Sequence, residues 1–209
     1  MKTRYKFDKY ATHQPALFEV LKRVQGDILE LGIGNGSTSI IKSSLSSSQK
    51  LISLESNKEW FDKFKHLESE NHHLFFVDAG NEDNLETGLA WTDYIEENLN
   101  EYDFEFVFID QSPWAARTSC LQYFVDKAKY ILVHDVDYYA TRGIWGSSKG
   151  HTNIAKNKVK YDMDFSDVAK YSRVFYPVNR FFFPLTGPPT LVCSNFVELD
   201  DISTDSYYE

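Results

Sequence analysis

Short apolar runs alternate along the chain with stretches whose apolar positions fall three and four apart. The runs predict strands at 27–33, 50–55, 73–78, 104–110 and 130–135. Between them, helical spacing predicts helices at 12–25, 37–46, 57–70, 84–98 and 112–128. In the first helix Ala16, Leu17, Val20, Leu21 and Val24 share a face, Pro15 sits in the opening turn, and Gly26 is the stop. Strands that alternate with helices imply an α/β fold, with a parallel sheet, right-handed crossovers and helices on both faces. After residue 135 the rhythm breaks. Residues 138–165 are polar and contain Gly143, Gly146 and Gly150, which reads as an insertion or a lid. A short helix is expected at 166–171. Strands at 172–176 and 190–195 have no intervening helix, which predicts an antiparallel hairpin at the sheet edge. One domain is expected over 1–197, followed by a frayed acidic tail over 198–209.

The first strand runs into Glu30-Leu31-Gly32-Ile33-Gly34-Asn35-Gly36-Ser37-Thr38. Glycines let the backbone turn sharply after the strand and let a ligand lie against bare peptide. A helix cap at Ser37 or Thr38 follows at once. This is a place to hold a nucleotide-like cofactor. The dinucleotide fingerprint G-x-G-x-x-G would need glycine at position 37, which is Ser. The second strand ends in Glu55, nineteen residues beyond Gly36, where an acid can accept both ribose hydroxyls. The third ends near Asp78, with Asp83 close behind.

Glu30 to Gly36 fits E-x-G-x-G-x-G and so resembles the class I S-adenosylmethionine-dependent methyltransferases. Phe108-Ile109-Asp110 and Val133-His134-Asp135 resemble the F-I-D and V-H-D segments of the small-molecule O-methyltransferases. The resemblance covers about 12–137. It implies a seven-stranded Rossmann-like sheet in the order 3-2-1-4-5-7-6. It also implies S-adenosylmethionine held by Glu30, Gly32, Gly34, Gly36 and Glu55, with Asp78 or a neighbour such as Asp83 on the adenine amino group.

Ligands of open α/β sheets sit beyond the carboxyl ends of the strands. That brings Asp110, His134 and Asp135 together as the candidate catalytic group, beside the reactive methyl. The chemistry is an in-line displacement at a sulfonium methyl, for which the protein places an acceptor oxygen and takes or shares its proton. His134 has a suitable intrinsic pKa. Asp110 or Asp135 is either a base or the group that orients the histidine. Alternatively Asp110 and Asp135 hold a divalent metal, as acids at these strand ends do in some sugar O-methyltransferases. The chain departs from their D-G-D, having Asp110-Gln111-Ser112. His134 also fits a purely structural role, and Asp137 fits a loop acid better than a ligand. His13 either closes over the cofactor or is a capping or surface histidine, and Arg117 either contacts an anionic substrate or is an ordinary helix-surface charge. Trp145, Phe181, Phe182 and Phe183 are either core or the wall of an acceptor pocket.

Net charge is −9, from 22 basic and 31 acidic residues, with no dense Lys/Arg patch. This disfavours a nucleic-acid partner, which needs clustered cations. Cys120 and Cys193 lack metal spacing and read as free buried thiols. Residues 1–10 are polar, with no apolar signal region, and no stretch is long enough to cross a membrane. A soluble cytoplasmic protein with a small-molecule acceptor is expected, with room for a homo-oligomer. The competing functions are an NAD-linked oxidoreductase and a catalytically silent cofactor-binding relative.

Overall fold

A computed structural model describes residues 11–136, 168–175, 188–204 and 207. The expected insertion at 138–165, most of the helix expected at 166–171, Asp137, Trp145 and Phe181 to Phe183 lie outside the described residues.

The elements alternate as the hydrophobic pattern requires. They are α1 (Gln14–Leu21), β1 (Asp27–Leu31), α2 (Thr38–Ser44), β2 (Leu51–Glu55), α3 (Lys58–Phe64) with a 3-10 turn, β3 (His72–Phe76), α4 (Leu85–Asn98), β4 (Phe104–Ile109), α5 (Trp114–Phe124), β5 (Tyr130–Val133), β6 (Tyr171–Phe175) and β7 (Thr190–Ser194). One seven-stranded sheet results, in the order β3-β2-β1-β4-β5-β7-β6. The four pairings among β1 to β5 are parallel, whereas β7 runs antiparallel to both β5 and β6. This is the predicted sheet with the predicted edge hairpin.

Side-chain alternation divides the core into two layers. Leu29, Leu31, Val107, Ile109, Ile131 and Val133 pack with Trp91 of α4 and Leu121 of α5 on one face. Ile28, Phe106, Phe108 and Leu132 pack with Leu17 and Val20 of α1 and Ile41 of α2 on the other. Each such side chain, fully buried, contributes roughly 1.5–3 kcal/mol.

Some expected boundaries move inward for local reasons. β1 stops at Leu31 because Gly32 turns to φ +91°, and β5 stops at Val133 because Asp135 sits at φ 54°. α1 begins only at Gln14, which leaves Thr12 and His13 as the chain that enters it. The acidic tail is not simply frayed. Leu199 and Ile202 are buried against α1 in the second core layer, and Arg23 donates to Asp201 O at 2.9 Å. The apolar pair outweighs the acidic composition around it. Among the described residues no helix is long and apolar enough to cross a membrane.

Candidate functional site

The glycine-rich turn leaves β1 and is held from three sides. A Cβ on Gly32 would stand 2.7 Å from the backbone carbonyl carbon of Asp110, so this position locks the β1 exit against the β4 exit. A Cβ on Gly34 would meet only Ser37 Oγ at 3.6 Å and the Gly36 nitrogen at 3.9 Å, which leaves its face open to a ligand. Gly36 carries the ring of His13, whose Cε1 would lie 3.2 Å from an added Cβ.

Glu30 does not line this turn as expected; it lies beneath it. The carboxyl is fully buried and takes Ser37 Oγ at 2.6 Å, Thr38 Oγ1 at 2.9 Å and Ser53 Oγ at 2.7 Å. Burial, partly offset by these hydroxyls, pushes its pKa up to about 7. Ser53 Oγ also lies 2.9 Å from His72 Nε2, while His72 Nδ1 faces Leu67 O at 3.1 Å. Burial, then the Lys42 charge, lowers the His72 pKa to about 4. A neutral His72 that donates from Nδ1 needs the serine proton at Nε2. Ser53 Oγ has one proton, which goes to Glu30 Oε2 or to His72 Nε2; when Glu30 is protonated the chain can run Glu30 to Ser53 to His72. Glu30 is therefore the anchor of the turn, one hydroxyl away from a buried histidine.

Glu55 ends β2 where predicted. Its Oε2 accepts from Ile33 N at 3.1 Å and its Oε1 from Asn57 N at 2.7 Å, and Ser56 N also donates to the carboxylate. Burial raises its pKa. Asp78 lies past the end of β3 and is exposed. Its neighbour Asp83 accepts from Ala115 N at 2.7 Å, at the start of α5.

The ends of β4 and β5 bring Asp110, His134 and Asp135 into one cluster, as predicted. His134 Nδ1 is 3.1 Å from Asp110 Oδ1, and its Nε2 is 3.3 Å from Asp135 Oδ1. Thr12 Oγ1 donates to Pro188 O at 2.7 Å, so it can only accept from His134 Nε2, 3.0 Å away. Asp110 is an anion: burial opposes ionisation, but the charges of His134 and Arg117 hold its pKa at about 2. Both nitrogens of His134 then carry protons, and the ring is an imidazolium. Its pKa is accordingly raised, because Asp110 and Asp135 outweigh the cost of burial. His134 is thus an acid or a fixed charge at rest, and not the free base that its intrinsic pKa suggested.

Arg117 is not a surface charge. It is 6% exposed and donates to Gln111 O at 2.7 Å, His134 O at 2.8 Å and Asp110 O at 3.0 Å. It also pairs with Asp110 Oδ1 at 3.0 Å and Asp135 Oδ2 at 3.1 Å. A metal shared by Asp110 and Asp135 does not fit, because the guanidinium already bridges those two carboxylates.

His13 is 1% exposed and makes no capping bond to α1. Its Nε2 faces Gly36 O at 3.2 Å and its ring meets that of His134 edge-on, with centroids 4.4 Å apart. Burial, then the His134 charge, lowers its pKa to about 3, so it is neutral. With Nε2–H on the carbonyl, Nδ1 presents a bare lone pair, and this buried atom has no hydrogen-bond partner. The spacing of Arg117, seven residues past Asp110, was the one available signal for its role. Thr12 carried none.

The chain matches no protein-family profile and no curated protein. It does resemble solved structures. Spermidine synthase from Thermotoga maritima is 13% identical, with a TM-score of 0.56 over 96% of this chain and 62% of that one. This chain thus spans less than two thirds of that enzyme. A Klebsiella pneumoniae protein assigned as an O-methyltransferase is 13% identical, with a TM-score of 0.53 over 92% and 83% of the two chains. A Thermobifida fusca protein assigned as a methyltransferase is 10% identical, with a TM-score of 0.56 over 90% and 81%. The chain has the fold of class I S-adenosylmethionine-dependent methyltransferases.

Proposed function

We propose that the protein is an S-adenosylmethionine-dependent methyltransferase that acts on a small molecule, at a hydroxyl, with sugars among the acceptors to test. One juxtaposition carries this reading. The open turn at Gly34 lies between Glu55, at the end of β2, and ionised Asp110, at the end of β4. A carboxylate suited to ribose hydroxyls thus stands on one side of the turn and an anion suited to a sulfonium on the other. Position 37 is Ser and hydrogen-bonds inward to Glu30, which supports this cofactor over a dinucleotide.

When bound, S-adenosylmethionine supplies an already activated methyl group. The chain's own work is to position and to manage charge. Glu55 would fix the ribose. Arg117 and His134 hold Asp110 ionised and immobile next to the reacting centre, which is electrostatic preorganisation. A hydroxyl proton becomes strongly acidic as its oxygen is methylated, so a weak base such as Asp110 suffices to accept it. Asp135 keeps Arg117 and His134 in place.

Calorimetric titration with S-adenosylmethionine and with NAD, separately, tests the cofactor. Binding of the first alone is expected; binding of NAD alone would overturn the reading. Spermidine synthase shares the fold, so a methyl-labelled donor and a panel of hydroxyl, amine and peptide acceptors must decide the transferred group. Label recovered on an amine would move the acceptor class, and label recovered nowhere would favour a silent relative.

A further inference from the structure

The mouth of the sheet contains an arrangement that methyl transfer leaves unexplained. One ligand atom from each of His13, Asp110 and His134 lies within 4.8 Å of the other two. Both histidines have the same outer partner geometry. His13 Nε2 is turned to Gly36 O, and His134 Nε2 to Thr12 Oγ1, which leaves Nδ1 as the inward atom of each ring. Metal-bound imidazoles are oriented in this way, by a carbonyl or hydroxyl on the second nitrogen. The buried, unpartnered Nδ1 of His13 is an independent sign, since a bare imidazole lone pair away from water costs free energy until something fills it.

We propose that His13, Asp110 and His134 form a binding site for a divalent first-row transition metal of the imidazole-preferring kind, such as Zn2+, Co2+ or Fe2+. Two imidazoles and one carboxylate favour these ions over Mg2+ or Ca2+, which take oxygen ligands. Ligand atoms about 2.1 Å from a common ion lie roughly 3.4 Å apart in a tetrahedron, so the three side chains close in by at most about 1.4 Å. The His134–Asp110 pair is already at 3.1 Å. Seating the ion replaces the Nδ1 proton of His134, which leaves to solvent, and the lone pair so exposed becomes the metal bond. Asp110, whose side chain is 23% exposed, is the way in. Arg117 holds Asp110 at Oδ1 and bridges it to Asp135, so the ion would take the lone pairs of the Asp110 carboxylate that the guanidinium leaves. The protein would thus bring a ligand from the entrance to α1 to the ends of two strands, with coordination positions left for a ligand oxygen. This inference does not rest on the methyl-transfer reading.

The test uses the full chain, stripped with a chelator and titrated with Co2+ alone, reading the visible d–d bands of a low-coordinate site. One Co2+ per chain is expected. Zn2+ should displace it and excess Mg2+ should not. His13→Phe keeps the ring volume against Phe108 but removes the lone pair. It should weaken Co2+ by more than the roughly 10–100-fold that loss of an outer hydrogen-bond partner costs. Thr12→Val should weaken it by about 10–100-fold and decides the matter if His13→Phe does not fold, as judged by circular dichroism. The surface variant His66→Gln with His73→Gln should bind as the parent does. Three results would overturn the site: no saturable Co2+ binding by the parent, unchanged affinity in folded His13→Phe or Thr12→Val, or loss of binding in the surface variant. S-adenosylmethionine titrated into the same stripped chain keeps failure here separate from failure of the methyltransferase reading.

Discussion

Replacing Glu30 by Gln tests the claim that the carboxyl under the glycine-rich turn is protonated. Its folded pKa is about 7, against an ordinary value of 4.5. Between those values the native state binds more protons than the unfolded chain. Stability from this group is therefore complete below about pH 4.5 and is lost as pH rises through 7. Integrating the two titrations from pH 5 to pH 8 gives a loss of about 2.5 kcal/mol. Gln is a stand-in for the protonated acid. Its oxygen accepts from Ser37 and Thr38, and its amide donates to Ser53, which continues to His72. Urea unfolding of both proteins at pH 5 and pH 8 is the assay. His72 titrates in the opposite sense below pH 6.5, so only the difference between the two proteins isolates Glu30. Glu30→Gln should lie within about 1 kcal/mol of the parent at pH 5 and be more stable at pH 8, by about 2–3 kcal/mol. Parallel stability curves for the two proteins would refute a protonated Glu30.

Arg117→Met strands two carboxylates and three carbonyls, and should cost about 3–5 kcal/mol in chemical denaturation; a loss under about 1 kcal/mol would mean that the bridge does not form in solution. Gly32→Ala forces a Cβ onto the Asp110 backbone at φ +91°, and should lower Tm by several degrees; an unchanged Tm would contradict the tight β1–β4 exit. Glu55→Ala should weaken S-adenosylmethionine by roughly ten- to a hundredfold in calorimetry, and equal affinity would remove Glu55 from the ribose. Asp110→Asn should reduce turnover of labelled methyl far more than it reduces cofactor affinity, and a matched reduction in both would make Asp110 a binding residue only.

The strand order and the edge hairpin were legible because they follow from local periodicity. Apolar runs of strand length mark β1 to β5, and two late strands with no helical spacing in the sequence between them favour an antiparallel pairing. Asp110, His134 and Asp135 were legible as neighbours because strand ends of a parallel sheet share one edge. Protonation states were not legible. That His134 is charged depends on Thr12 giving its only proton to Pro188, a contact across 176 positions of sequence. That Glu30 faces inward depends on Ser53, its register partner on β2. Arg117 looked like a solvated charge because α5 has polar neighbours around it, and only the packed structure shows that its head lies among five oxygens. The acidic composition of 198–204 likewise hid Leu199 and Ile202.

Those last residues have a consequence for assembly. The stretch that delivers Thr12 and His13 is clasped by chain synthesised nearly two hundred residues later. Pro188 receives the Thr12 hydroxyl, Leu199 and Ile202 back α1, and Tyr207 donates to Glu19 at 2.8 Å. A nascent chain that has made β1 to β5 can already shape the glycine-rich turn and the Asp110–Arg117 pair. It lacks Pro188, and so cannot yet fix the proton on His134 Nε2 through Thr12. The cofactor side of the cleft can thus form early in synthesis, whereas the proton arrangement of His134 must wait for the later segment that carries Pro188.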